Sequence, residues 1–222
     1  MFPIRDTQPS DSRPVVTILI IVLNVLAFLY EFSLDDNSRN YFIANYGLIP
    51  DRLHASALLT SMFLHGGWMH IIGNMWFLWI FGDNVEDVMG HGKYLIFYLL
   101  CGVAAGMTQV MFNPYSRLPM VGASGAIAGV MGAYLIKFPQ SRIVTVVFIF
   151  IFLTRIEVPA VLMLLYWFFI QLFSGFGSIG YSQANQGGTA FFAHIGGFIA
   201  GMILVKLLGT REKYLRRSDL NW

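Results

Sequence analysis

The chain has 222 residues, 56% of them hydrophobic and only 12% charged, with a mean hydropathy of +0.63. Soluble domains carry about 25% charged residues, so this balance excludes an ordinary soluble domain and indicates an integral membrane protein. A formal net charge of +2 is too small a basic excess for a nucleic-acid binder, and the single cysteine, Cys101, permits no internal disulfide.

Runs without Asp, Glu, Lys or Arg cover 14–30, 53–82, 94–116 and 118–136. Crossing about 30 Å of hydrocarbon takes about 20 mostly apolar residues in a helix. The pattern predicts an all-α membrane protein, a six-helix bundle over 14–208 with spans at 14–31, 69–88, 94–113, 124–138, 157–174 and 189–208. Arg5, Asp6, Asp11 and Arg13 precede the first run, so Val15–Tyr30 reads as span 1 and not as a cleavable signal peptide. A polar segment, 32–56, follows it. Residues 57–68 are apolar but contain Gly66 and Gly67. Residues 143–154 (IVTVVFIFIFLT) are too short a run to cross as a helix. Their β-branched content suggests a re-entrant or extended interfacial piece instead. Residues 174–189 form a Gly/Ser/Asn/Gln loop between spans 5 and 6.

Charge orients the bundle. With six spans, 11 of the 14 Lys and Arg fall on the side of the N-terminus, and only Arg39, Arg52 and Arg117 on the other. The positive-inside rule therefore puts the N-terminal segment 1–13 and the C-terminal tail 209–222 in the cytoplasm. Loops 32–68, 114–123 and 174–188 then face outward.

Polar groups within spans are expensive and mark functional candidates. His70, Asn74, Ser124 and His194 stand out, because topology delivers all of them to the outer side. His194 lies about five residues into span 6, roughly 8 Å deep at 1.5 Å per residue. Ser124 follows Gly122 and Ala123, precedes Gly125, and opens span 4. Such a serine can be an N-cap, the commoner role for an isolated Gly-x-Ser-Gly. It can also be a nucleophile whose small neighbours admit a substrate backbone. Span 4 carries Gly125-xxx-Gly129 and span 6 carries Gly197-xxx-Gly201. Small residues at this spacing let helices approach closely in lipid, and pairing these faces brings His194 towards Ser124. A serine hydroxyl needs an adjacent base to act as a nucleophile near neutral pH.

His70 and Asn74, four apart, share one helix face. With His65 they could suggest a metal site, but His65 and His70 are five apart and an amide oxygen is a poor zinc ligand. An oxyanion site fits better, with donors from the Asn74 amide, the His70 ring and the Ser124 backbone N–H. No cofactor is expected. The acids nearest these residues, Asp83, Glu86 and Asp87, lie at the inner end of span 2, so the pattern gives a Ser-His dyad without a carboxylate.

Three strings, taken together, resemble the rhomboid intramembrane proteases. They are His65-GGWM-His70-IIG-Asn74, Gly122-Ala-Ser124-Gly125 and Ala193-His194-Ile-Gly-Gly197. Their order and spacing fit over nearly the whole chain, and Pro3-Ile4-Arg5-Asp6 before span 1 looks like bacterial members. The resemblance implies a bundle of the rhomboid type in a bacterial inner membrane. It implies Ser124 as nucleophile, His194 as base, His70 and Asn74 as oxyanion side chains, and the Gly122 backbone beside the site. It also implies a single-pass transmembrane protein as substrate, cut near the outer end of its helix, with 174–189 as a cap and span 5 as a lateral gate. One departure is Ala128, where some members place a tyrosine that stacks on the histidine. A transporter or channel would instead show internal repeats and broken helices at mid-membrane. A non-catalytic scaffold would tolerate loss of Ser124 or His194.

Overall fold

In lipid a backbone must satisfy its own hydrogen bonds, which apolar segments do by forming helices. The structure, a computed structural model, describes residues 2–149, 152–179 and 190–210. The long helices are α1 (Val15–Ser33), α4 (Trp68–Met89), α5 (His91–Phe112), α6 (Ser124–Lys137), α7 (Ala160–Ile179) and α8 (Phe191–Leu207). Of these, α1, α5 and α7 are long and apolar enough to cross a membrane by length and composition, while α6 and α8 are shorter apolar helices. Two small helices, α2 (Asp36–Tyr46) and α3 (Ala57–Thr60), occupy the connection between α1 and α4. Asp35 caps α2, accepting from the Asn37 and Ser38 N–H groups at 3.1 Å.

Buried carboxylates tie the helix ends together. Glu86 on α4 accepts from the Val16 and Thr17 N–H groups at 2.8 Å and from the Thr17 hydroxyl at 2.7 Å. These are orphan donors of the α1 N-terminus, whose dipole favours an anion. The His91 ring at the start of α5 meets the same carboxylate at 2.6 Å. At the other end of α1, fully buried Glu31 pairs with Arg39 at 3.1 Å and accepts from the His65 N–H at 3.1 Å. Asp87 accepts from the Ser12 N–H at 3.0 Å, which docks the N-terminal segment on α4.

The packing centre is α6, buried from Gly125 to Tyr134. It lies against α8 with almost no side chain between them. A Cβ on Gly197 would land on the Gly125 carbonyl, and one on Gly201 on the Gly129 carbonyl. The paired glycine faces expected from the sequence are therefore the actual contact.

A three-stranded antiparallel sheet departs from the all-helical expectation. It consists of β1 (Phe2–Asp6), β2 (Arg142–Ile149) and β3 (Phe152–Pro159), in the order β1-β2-β3. Within the run 143–154, residues 143–149 and 152–154 thus take the extended alternative, as their Ile, Val and Thr favour. Its hairpin pairs Arg142 with Pro159 and Ile149 with Phe152. Residues 157–159, expected at the start of span 5, remain in β3, so that helix begins at Ala160. Strand β1 was not anticipated. It pairs with β2 and is pinned to α4 by the Trp76 Nε1–H, which donates to the Pro3 carbonyl at 2.7 Å. Helix α7 runs on to Ile179, into the stretch read as a loop from 174. The rest of that loop, 180–189, and the tail from 211 lie outside the described residues.

Two outcomes are expected. Gly201→Ala forces α6 and α8 apart and costs about 1–3 kcal/mol, as overpacking does. Gly92→Ala, where a Cβ meets nothing, leaves the thermal unfolding temperature in micelles unchanged or raises it. The second outcome concerns pH. Burial lifts the Asp6 carboxyl from 3.8 to about 7, against a lowering hydrogen bond from Tyr134 and with the Asp83 charge adding to the rise. Folded Asp6 keeps a proton that the unfolded chain has already lost, so stability falls as pH rises from about 4 to about 7. The melting temperature of Asp6→Asn relative to the parent should therefore rise across that window, since buried groups such as His65, whose linkage has the opposite sign, are common to both proteins.

Candidate active site

Helices α4, α6 and α8 begin on the same side of the bundle, and their first turns surround a cleft of 1690 Å³. His70, Asn74, Gly122, Ser124 and His194 all line it. Backbone bonds set the entry to α6. Leu48 and Met120 exchange N–H···O bonds of 2.9 and 2.8 Å, and the Gly122 N–H donates to the Ser61 carbonyl at 2.9 Å. Gly122 has φ +125°, and a Cβ there would sit 2.7 Å from the His70 ring. Both the left-handed backbone and the contact require glycine.

Ser124 is the first residue of α6, after Ala123 in the N-cap position, so the serine is not itself the N-cap. The hydroxyl is 2.8 Å from His194 Nε2, to which it donates. His194 is buried. Its Nδ1 is 2.7 Å from Gln171 Oε1 on α7, and the ring lies against Trp167 with centroids 5.6 Å apart. An amide oxygen accepts, so Nδ1 carries the hydrogen and Nε2 keeps a lone pair for the Ser124 proton. Gln109 on α5 steadies this end of α8, accepting from the Ala193 N–H at 3.2 Å.

The Asn74 amide donates one hydrogen to His65 Nε2 at 2.9 Å. The second hydrogen of that nitrogen is available to the cleft. Burial, with a smaller contribution from His70, pulls His65 down to about 4. It is therefore neutral at physiological pH and able to accept. His70 partly faces the cleft, with the Gly66 N–H donating to its Nδ1 at 3.4 Å. Among the described residues no cluster of three His, Cys, Asp or Glu side chains could hold a metal ion. The His65 and His70 rings instead meet edge to face, 5.1 Å apart.

The structure thus brings together every residue singled out from the sequence. Gln171 and Trp167 were not singled out there, and His65, weighed there as a metal ligand, instead holds Asn74. Gln171 carried a signal, since it is a lone amide within an apolar span. Chemically, the site holds a hydroxyl hydrogen-bonded to an imidazole, an amide bonded to the far side of that ring, and further amide and imidazole groups across the cleft. That set suits attack on a carbonyl.

A family model described as the Rhomboid domain matches residues 52–211. The chain is 32% identical to Rhomboid protease GluP of Bacillus subtilis over 205 residues, 90% of this chain and 36% of that protein. It is 33% identical to the human mitochondrial presenilin-associated rhomboid-like protein over 60% of this chain and 35% of that one. It is 29% identical to the chloroplastic Rhomboid-like protein 11 of Arabidopsis thaliana over 68% of this chain and 51% of the relative. The chain thus spans between about a third and a half of the length of these relatives.

The hydrogen-bonded hydroxyl should react with a fluorophosphonate. In-gel fluorescence and mass spectrometry of the labelled peptide should place the adduct on Ser124. Ser124→Ala abolishes it, and His194→Ala slows it by about 10²–10⁴-fold, the usual contribution of a positioned base.

Proposed function

Because the chain belongs to the rhomboid family, we propose that it is an intramembrane serine endopeptidase. It cleaves single-pass transmembrane proteins near the outer membrane face by a Ser-His dyad. The observation that carries this reading is the 2.8 Å contact between Ser124 Oγ and His194 Nε2 at the cleft.

In this reading Ser124 Oγ attacks the scissile carbonyl carbon while its proton passes to His194 Nε2. The carbonyl oxygen becomes an oxyanion, held by the Ser124 backbone N–H, the free Asn74 amide hydrogen and the His70 ring. When the C–N bond breaks, the His194 imidazolium gives its proton to the leaving amine. Water then attacks the acyl-enzyme, with His194 taking its proton and returning one to Ser124 Oγ. Gly122, having no Cβ, lets the His70 ring lie against the backbone that leads to the nucleophile.

The chain is an integral membrane protein, and we assign six spans to α1, α4, α5, α6, α7 and α8, within a membrane domain over 14–208. The charge bias supports cytoplasmic termini, segments 1–13 and 209–222, in a bacterial inner membrane. Helix α6 has 14 residues, about 21 Å at 1.5 Å per residue, against about 30 Å of hydrocarbon. Its first residue can therefore lie below the outer surface, under the polar connection 113–121 that rims the cleft. Substrate helices must unwind there before a carbonyl is exposed, which favours targets with weak outer turns.

The test is cleavage of a fluorescently tagged single-pass substrate by purified protein in liposomes, beside Ser124→Ala and His194→Ala. Cleavage by the parent and by neither variant is expected. Cleavage that survives Ser124→Ala rejects the assignment, and a folded parent inert towards a panel of such substrates favours a non-catalytic scaffold.

A further inference from the structure

Among the described residues no carboxylate is hydrogen-bonded to His194, and Ala128 puts no aromatic ring where some family members stack one on the base. What holds it is α7. Gln171 Oε1 lies 2.7 Å from His194 Nδ1, and Trp167, one turn earlier on the same helix, lies against the imidazole. Gln171 is itself buried, at 8% exposure. Mid-span amides are costly in an apolar setting unless bonded, so this one needs a reason. We propose that Gln171 is the positioning residue of the dyad, fixing the His194 ring and tautomer so that Nε2 faces Ser124.

This rests on the protease reading above and deepens it. A neutral imidazole has two tautomers, and only the one protonated at Nδ1 can take the serine proton through Nε2. An amide oxygen at Nδ1 selects that tautomer and then stabilises the imidazolium formed during attack, as a third group does in hydrolytic triads. Gln171 introduces no permanent charge into the span.

The placement has a second consequence. Helix α8 is locked to α6 by backbone contact at Gly197 and Gly201, whereas α7 exposes Leu162, Tyr166, Phe169 and Phe173 outward. The base thus sits on a fixed helix, while its orienting group sits on a peripheral one. An outward shift of α7 by more than about 1 Å breaks a 2.7 Å hydrogen bond. Any displacement of α7 that admits substrate therefore idles the base, and the dyad is competent only when α7 has returned.

The experiment compares parent, Gln171→Leu, Gln171→Glu and Ser124→Ala in liposomes, measuring kcat and KM from pH 5 to 9 and melting temperature in micelles. Gln171→Leu is expected to lose about ten- to hundredfold in kcat, within the contribution of a positioned base, with KM and melting temperature held. Gln171→Glu restores an acceptor to Nδ1, so it should recover most of the rate. Its carboxylate favours the imidazolium, so the acid limb of its pH–rate profile should move to higher pH. His70, across the site, is the other titratable group acting on His194; it is unchanged in every variant and does not move that limb. A Gln171→Leu variant with parental kcat, or one whose loss lies in KM alone, overturns the assignment. If it melts early, the pH profile of Gln171→Glu decides, and an unmoved acid limb overturns it. Failure of the protease reading is distinct: the parent is then inactive, or Ser124→Ala is as active as the parent.

Discussion

The site depends on one contact, the backbone-to-backbone approach of α6 and α8. Helices in lipid gain little from burying apolar side chains against each other, since the lipid tails are equally apolar. Close packing and directed polar contacts must hold the bundle instead. Glycines at 125, 129, 197 and 201 remove the side chains from this interface, and neither Gly197 nor Gly201 has room for a Cβ. With the axes that close, a histidine near the start of α8 and a serine at the start of α6 meet at 2.8 Å. One inserted methyl group separates both helices and, with them, Ser124 Oγ and His194 Nε2, so stability and the proposed chemistry share a constraint.

Other tethers fix where the helices begin. Glu86 closes the α1 N-terminus and meets His91, while Glu31 joins α1 to Arg39 and to the backbone ahead of α4. Each carboxylate stays buried because several donors share it. Glu31 sets the loop that carries His65, and His65 holds Asn74. A residue of α1 is thereby connected, through one loop, to a donor facing the cleft.

The parts of this arrangement legible in the sequence are those that repeat locally. Apolar runs located the helices; α6 starts at Ser124 as expected, and α4 starts at Trp68 where 69 was read. Glycine spacing predicted which two faces meet. Pairings between distant segments were not legible. Strand β1 is five residues long and contains Pro3, and it is a strand only because β2, some 140 residues later, pairs with it. The run 143–154 could be recognised as unsuited to a span, yet nothing local showed that its continuation to Pro159 would delay α7. Gln171 was visible as a polar residue in an apolar helix, but its partner is 23 residues away on another helix. Sequence alone showed neither the partner nor the ring nitrogen it addresses.

An amide in that place is physically reasonable. A carboxylate beside His194 would stabilise the imidazolium more strongly, but within the span it must be desolvated throughout the resting state. A buried charge of that kind needs partners, and the helices around His194 bring Gln171, Gln109 and Ser124 to this end of α8. The amide gives direction without charge: it selects one tautomer, and its dipole already points at the nitrogen that becomes cationic in the proposed mechanism. Orientation supplied in advance by neutral dipoles is the form of assistance that a low-dielectric site can sustain in either protonation state of the ring.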